Sequence, residues 1–337
     1  MDAFFGPVNF QESYLAVDVF FVLSGVVIAN AYEERLQSAL SIKQFVWLRL
    51  VRLYPLYILA CAFSVLAITL DVKDNGNAGH LTALILLAVV LLPNVFRLGD
   101  GSPYPLNNPA WSLFFEIVAN VIYASALRFL TAKRLAIIMV ASAAGLVLCL
   151  SFAKGNLDIG WTPKSFPTGT FRVGYSFFAG VLLYRHFSAA RATVVTGRFA
   201  MYGICGILSL VSALLMSSPG PFVRPYFDFF AVVAIFPAIV YLALWVQPSG
   251  RPARICKFMG TTSYALYVLH YPLAGLIQGL FKTRAGVSVE NYAPLIGFGL
   301  LVALLTFCWV IDTVYDGPVR QFLQRRIPLT PKPLRSC

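Results

Sequence analysis

Glu116, His270, Asp18 and Arg172 each stand within a stretch of apolar residues, and Arg49 and Arg52 sit at the edge of another. An ionisable side chain inside a hydrocarbon span costs about 2.5–3.5 kcal/mol on insertion scales, so such residues face a cavity or a partner. Around Glu116 the pattern is regular. Asn108, Ser112, Glu116 and Asn120 recur every fourth residue, one polar stripe down an apolar helix. Glu116 is expected either to orient a substrate group or to pair with a cation such as Arg172. Asn108 before Pro109 also reads as a helix N-cap followed by proline at the first helical position.

His270 is the one histidine deep in an apolar run; His80 and His186 sit near run ends, where solvation suffices. Ser263, Tyr267 and His270 share a helical face, and Pro272 just beyond invites a kink. An imidazole there serves either as an interhelical hydrogen-bonding group or as a general base. Arg49 and Arg52 lie three apart on one face. Guanidinium groups so placed either snorkel to lipid phosphates or clamp a phosphate by bidentate hydrogen bonds. Asp18 either pairs with a basic residue or ends its span.

The elements that must carry these residues follow from composition. Of the 337 residues 59% are hydrophobic and 12% charged, against roughly 45–50% and about 25% in soluble domains. That excludes a soluble globule. The expected fold is all-α, a polytopic transmembrane bundle of about nine or ten spans of some 20 apolar residues each, forming a single integral-membrane domain over 1–337. Candidate runs are 14–31, 54–71, 81–96, 110–130, 134–153, 171–187, 199–216, 226–246, 262–281 and 293–315. Continuous runs, rather than alternation, make them helices.

The net charge of +12 would suggest nucleic acid in a soluble chain. Here the basic residues sit in short loops between runs, as in cytoplasmic loops, so a nucleic-acid partner is not expected. The cysteines show no metal-ligand spacing, and neither disulfides nor a metal site is expected. Cys61, Cys149, Cys205 and Cys308 fall in apolar runs; Cys256 and Cys337 adjoin basic segments.

Five basic clusters follow the first, fourth, sixth and eighth runs and fill the tail, including Arg35, Arg128, Arg185, Arg191, Arg254, Arg320, Lys332 and Arg335. If all are cytoplasmic, an even number of crossings separates each pair. Three runs separate the first two clusters. The weakest, 81–96, is short and interrupted by Pro93, so it is expected to be re-entrant or peripheral. The first run then enters from outside, the C-terminus is cytoplasmic, and the topology is expected to lack a preceding outward span.

Four blocks now gain meaning from their order: Asp18 to Gly25 (DVFFVLSG), Arg49 to Tyr57 (RLVRLYPLY), Asn108 to Glu116 (NPAWSLFFE), and Gly260 to Pro272 (GTTSYALYVLHYP). Together they resemble the membrane-bound acyltransferase 3 family, with Arg172, Phe178 and Gly180 matching a further position. The resemblance runs from about Tyr14 to Arg320. It implies transfer of an acyl group, often acetyl from acetyl-CoA, onto a saccharide hydroxyl of lipopolysaccharide, exopolysaccharide, peptidoglycan or a lipid-linked glycan. Acyl-CoA is then the donor, with no permanently bound cofactor. The setting would be a bacterial inner membrane, with the bilayer itself as a partner. The family also carries, before the FFVLSG block, a helix with a basic residue and a catalytic histidine. The first thirteen residues here contain no histidine, arginine or lysine.

On this resemblance Glu116, His270 and Asp18 are the candidate catalytic residues, and Arg49 and Arg52 would bind coenzyme A. Asn108, Trp111, Ser112, Arg172, Tyr264 and Tyr267 would bind substrate. Ser24 and Ser112 lack an evident neighbouring base, which favours direct transfer over a covalent intermediate. A transporter or flippase of a lipid-linked saccharide is the alternative, since intramembrane Glu116, His270 and Arg172 suit a transport path as well. A catalytically inactive relative that binds or assembles is another. The sequence specifies no oligomeric state.

Overall fold

The computed structural model describes residues 12–70, 78–152, 155–190, 194–281 and 295–326. Arg191, Lys332, Arg335, Cys337 and the residues before Glu12 lie outside these, as does the start of the last apolar run. The described chain is helical: α1 (Ala16–Ser38), α2 (Ile42–Thr69), α3 (Leu81–Val89), α4 (Ala110–Ala126), α5 (Ala132–Phe152), α6 (Gly169–Ala189) and α7 (Gly197–Leu215). There follow α8 (Arg224–Leu244), α9 (Gly250–Leu280), α10 (Leu295–Ile311) and, after a π turn at Asp312–Asp316, α11 (Gly317–Gln324). Among the described residues seven helical segments are long and apolar enough to cross a membrane. Helices α6 and α9, at 21 and 31 residues, have the length as well, but carry the polar groups of the sites below.

Helix starts follow capping rather than hydropathy. α2 begins at Ile42, well before the apolar run at 54, because Ser41 and Gln44 form a reciprocal capping box. Arg49 and Arg52 therefore lie inside a helix, not in a loop. α9 likewise begins at Gly250 rather than 262.

The 81–96 run is helical only over the nine residues of α3, roughly 14 Å at 1.5 Å per residue and far short of a span. Beyond it the chain is irregular. Asn94 organises this stretch: its amide donates to the carbonyls of Leu98 (2.9 Å) and Ser102 (3.1 Å) and accepts from the Leu98 N–H (3.1 Å). Tyr104 donates to the Leu91 carbonyl, and burial raises its pKa, so it remains a neutral donor.

α6 is the hub, packing on α1, α4, α5 and α8, while α2, α9 and α10 form a second group joined to it through α1 and α4. The α1–α6 contact is backbone to backbone. A Cβ on Gly25 would overlap the Phe177 carbonyl, and one on Gly180 would overlap that of Val22. Small residues permit this approach, which in lipid replaces the hydrophobic drive for helix association.

Polar ties sort the helix ends. Glu33 near the end of α1 accepts from Tyr123 near the end of α4 (2.6 Å) and pairs with Arg185 near the end of α6 (2.8 Å). Arg320 and Asp316 lie by Arg52 near the start of α2. The first, second, third and last basic clusters thus adjoin one end of the bundle, as the loop-charge argument requires once α3 is not a crossing.

Candidate active site

α1, α2, α4 and α9 enclose a cavity of about 350 Å³. Its polar end is built by Arg49 and Arg52 from α2, Glu116 from α4, Ser24 from α1 and Tyr264 from α9. Glu116 Oε1 accepts from Arg49 Nη2 (2.9 Å) and Ser24 Oγ (2.7 Å). The cation paired with Glu116 is therefore Arg49, not Arg172. Arg52 lies over the Tyr264 ring at 5.7 Å and faces Asp316 at 3.8 Å. Tyr264 donates to the Leu53 carbonyl at 2.6 Å.

Each arginine has hydrogen-bonding capacity to spare. Arg49 Nε and Arg52 Nη1 are buried with no hydrogen-bond acceptor among the described residues. Buried donors are seldom left so, although Arg52 Nη1 faces the Asp316 carboxylate at 3.8 Å; two guanidinium groups in the wall of one cavity suit an anionic or strongly accepting ligand.

One turn along α4 from Glu116 the character changes. Ser112 Oγ and Tyr267 Oη lie 2.6 Å apart, and both lie within hydrogen-bonding reach of the Pro109 carbonyl. With Phe20 they form the aromatic end of the cavity.

His270 lies outside this cavity and lines a second of about 280 Å³, bounded by Phe20, Ser263, Tyr267 and leucines of α9 and α10. Its Nδ1 sits 2.7 Å from the Tyr267 carbonyl and 3.1 Å from that of Leu266. Both are acceptors, so Nδ1 carries the hydrogen and Nε2 keeps the lone pair. α9 continues through Pro272. The missing proline N–H leaves the Val268 carbonyl without its helical donor, and Asn107 Nδ2 supplies one at 3.2 Å. Asn107 was not singled out from sequence; its only signal is its place beside Asn108 before a proline-initiated helix.

Asp18, Arg172 and Trp111 come together elsewhere. Arg172 is 1% exposed and Asp18 fully buried. Arg172 Nε and Nη2 reach Asp18 Oδ2 at 3.2 and 2.5 Å, and the remaining donors go to the carbonyls of Ile159 (3.0 Å) and Tyr14 (2.8 Å). Trp111 covers the guanidinium at 5.4 Å and packs on Gly160, whose φ of +108° and lack of a Cβ let the loop close over the indole. None of the three lines either cavity. Together they clasp α1, α4 and α6 to the loop before α6. Beside them Glu12, Tyr14, Asp228 and Arg224 form a further buried network, also unmarked in the sequence apart from an acid in an apolar run.

Asn108 stands before α4, half-buried, with Oδ1 buried and unpartnered among the described residues. It does not cap the helix. The first amides of α4 are taken by backbone carbonyls, Ala110 by Asn107, Trp111 by Asn108 and Ser112 by Pro109, so no donor is left for its side chain.

Comparison with known proteins places these blocks. The profile of a family described as an acyltransferase domain, acyltransferase 3, matches residues 5–313. The chain is 35% identical over 159 residues to Protein 2 in the picA locus of Rhizobium radiobacter, covering 44% of this chain and 83% of that one. It is 28% identical over 290 residues to the peptidoglycan O-acetyltransferase OatA of Listeria monocytogenes, covering 79% of this chain. The match spans 46% of that protein, a little under half its length. No solved structure matches.

Proposed function

The chain belongs to the acyltransferase 3 family, and we propose that it moves an acyl group, acetyl in the simplest case, from a coenzyme A thioester to a saccharide hydroxyl. The observation that carries this reading is the cavity between α1, α2, α4 and α9. There Arg49 and Arg52 set two guanidinium groups in one wall beside Ser24 and Tyr264. An acyl-CoA supplies the phosphate and carbonyl oxygens that such donors seek. Glu116 holds Arg49 in place through Oε1, which also accepts from Ser24.

The basic end of the bundle is read as cytoplasmic, so the donor enters beside Arg49 and Arg52 and the acceptor from the opposite face. Chemistry then requires a base for the acceptor hydroxyl and donors for the thioester oxygen. Within the described residues His270 carries an imidazole inside a span, with Nε2 as acceptor. The acceptor class is read from the likeness to the peptidoglycan O-acetyltransferase: a cell-envelope glycan outside the membrane. The protein would act as a multi-pass component of a bacterial inner membrane.

The test is transfer of label from [¹⁴C]acetyl-CoA to extracted glycan in membranes carrying the protein. Label should appear on the glycan and be lost in Arg49→Ala and Arg52→Ala at equal protein level. Well-expressed protein that leaves no label on any glycan sinks the reading and favours transport or scaffolding.

A further inference from the structure

The two cavities share three wall residues, Phe20, Ser263 and Tyr267. Between them the rings of Phe20 and Tyr267 touch, centroids 5.6 Å apart and planes tilted by 52°. The first cavity is polar at its far end and offers cations to a ligand. The second is walled mainly by Leu266, Leu300, Leu301 and Leu304, with His270 as its ionisable group. The two halves of the partition are held differently. Tyr267 is tied by its hydroxyl to Ser112 and lies near the Pro109 carbonyl. Phe20 has no polar tether and is 42% exposed.

We propose that Phe20 sets the length of the acyl group this protein transfers, by closing the apolar cavity to the donor's chain. The inference rests on the acyl-transfer reading above. In the transfer the acceptor oxygen forms a bond to the acyl carbon as the carbon–sulfur bond breaks. The hydroxyl proton ends on the departing thiolate by way of the base. That balance is the same for any chain length, so the chain's fit decides selectivity. With Phe20 against Tyr267 a short acyl group fits at the aromatic end and a longer one meets the partition. Without the Phe20 ring the two spaces join. A longer chain then buries its methylenes against the leucines of α9 and α10, each worth about a fourfold gain.

The experiment compares acetyl-CoA with hexanoyl-CoA as donors in membranes, together with binding of each thioester against free CoA to purified protein in detergent. Wild type should favour acetyl. Phe20→Ala should raise the hexanoyl-to-acetyl ratio of kcat/KM by at least about tenfold, up to about two hundredfold for four methylenes. Phe20→Leu should give a smaller shift in the same direction and covers the case in which the alanine variant folds poorly. Adding Leu301→Trp to Phe20→Ala should bring the ratio back, by filling the second cavity. A wild type that uses hexanoyl-CoA as well as acetyl-CoA overturns the proposal. So does a Phe20→Ala variant whose chain-length ratio and hexanoyl-CoA affinity match wild type while acetyl transfer continues. Absence of both transfer and CoA-thioester binding in wild type overturns the acyl-transfer reading itself and takes this inference with it.

Discussion

Arg49 crosses from α2 to donate a 2.9 Å hydrogen bond to Glu116 on α4, and the pair closes the polar end of the larger cavity. At side-chain exposures of 12% and 20% neither is fully in water, and each makes the other's charge tolerable. The role proposed for Glu116 is to position Arg49. Glu116→Gln keeps an oxygen for Arg49 and Ser24 but loses the charge that holds the guanidinium, so acyl transfer should fall about 10- to 100-fold, as for loss of one charge-assisted hydrogen bond of about 1.5–3 kcal/mol. The loss should appear mainly as a raised KM for the acyl-CoA. Full transfer at unchanged KM in well-expressed Glu116→Gln removes the role.

The Asp18–Arg172 pair makes a different prediction, because neither group reaches a cavity. Removing one partner of a buried pair leaves a charge with no compensation, at a cost of about 3–5 kcal/mol. Asp18→Leu and Arg172→Met should each cut the yield of monodisperse protein in detergent. The double variant should recover more than either single one, since no buried charge remains. If both single variants are well folded and fail only in transfer, the pair belongs to the chemistry and not to the clasp.

Different parts of the molecule are written in the sequence to different degrees. Spans and their common basic end were legible because hydrophobicity and loop charge are one-dimensional signals, and discounting the short run at 81–96 matched a helix of nine residues. Arg49 and Arg52 fell on one cavity wall because a spacing of three fixes a helical face. Pairing was not legible. Glu116 took Arg49 and left Arg172 to Asp18, a choice made by which helices adjoin, and no periodicity encodes that. Nor did spacing reveal that a ring from α1 divides the space beside this face, so that His270 lines one cavity while Ser263 and Tyr267 border both.

Gly25 and Gly180 offer a test of the packing alone. Each lies where a Cβ would overlap a carbonyl of the facing helix, so the α1–α6 approach depends on both. Gly25→Ala or Gly180→Ala should destabilise by about 1–3 kcal/mol, the usual cost of overpacking, and Leu at either site should abolish the folded species. The measurement is the midpoint of thermal unfolding in detergent. A midpoint unchanged in both alanine variants would mean that the helices separate easily and that the contact contributes little.

Orientation can be read without any substrate. With the basic clusters on the cytoplasmic side, a fluorescent protein fused after Cys337 should fold and fluoresce, whereas alkaline phosphatase at the same point should be inactive. The reverse pattern would put Arg49 and Arg52 on the outer face, out of reach of cytoplasmic acyl-CoA, and the donor site would have to be sought elsewhere.

His270 gives the sharpest test of the chemistry. Its Nδ1 hydrogen is held by two carbonyls of its own helix, which fixes the tautomer and leaves Nε2 as the only basic nitrogen. A base that meets the acceptor hydroxyl at the Phe20–Tyr267 partition contributes about 10²–10⁴-fold to proton transfer, so His270→Ala should lower kcat by that factor with little change in KM for the acyl-CoA, whose proposed anchors are on α2. His270→Gln should be as inactive despite its similar size, since an amide has no basic nitrogen. A purely structural histidine predicts otherwise: the glutamine variant would regain hydrogen bonding and with it much of the rate. Retention of a tenth or more of wild-type kcat in His270→Gln would therefore move the base to another residue, leaving the Arg49–Arg52 donor site untouched.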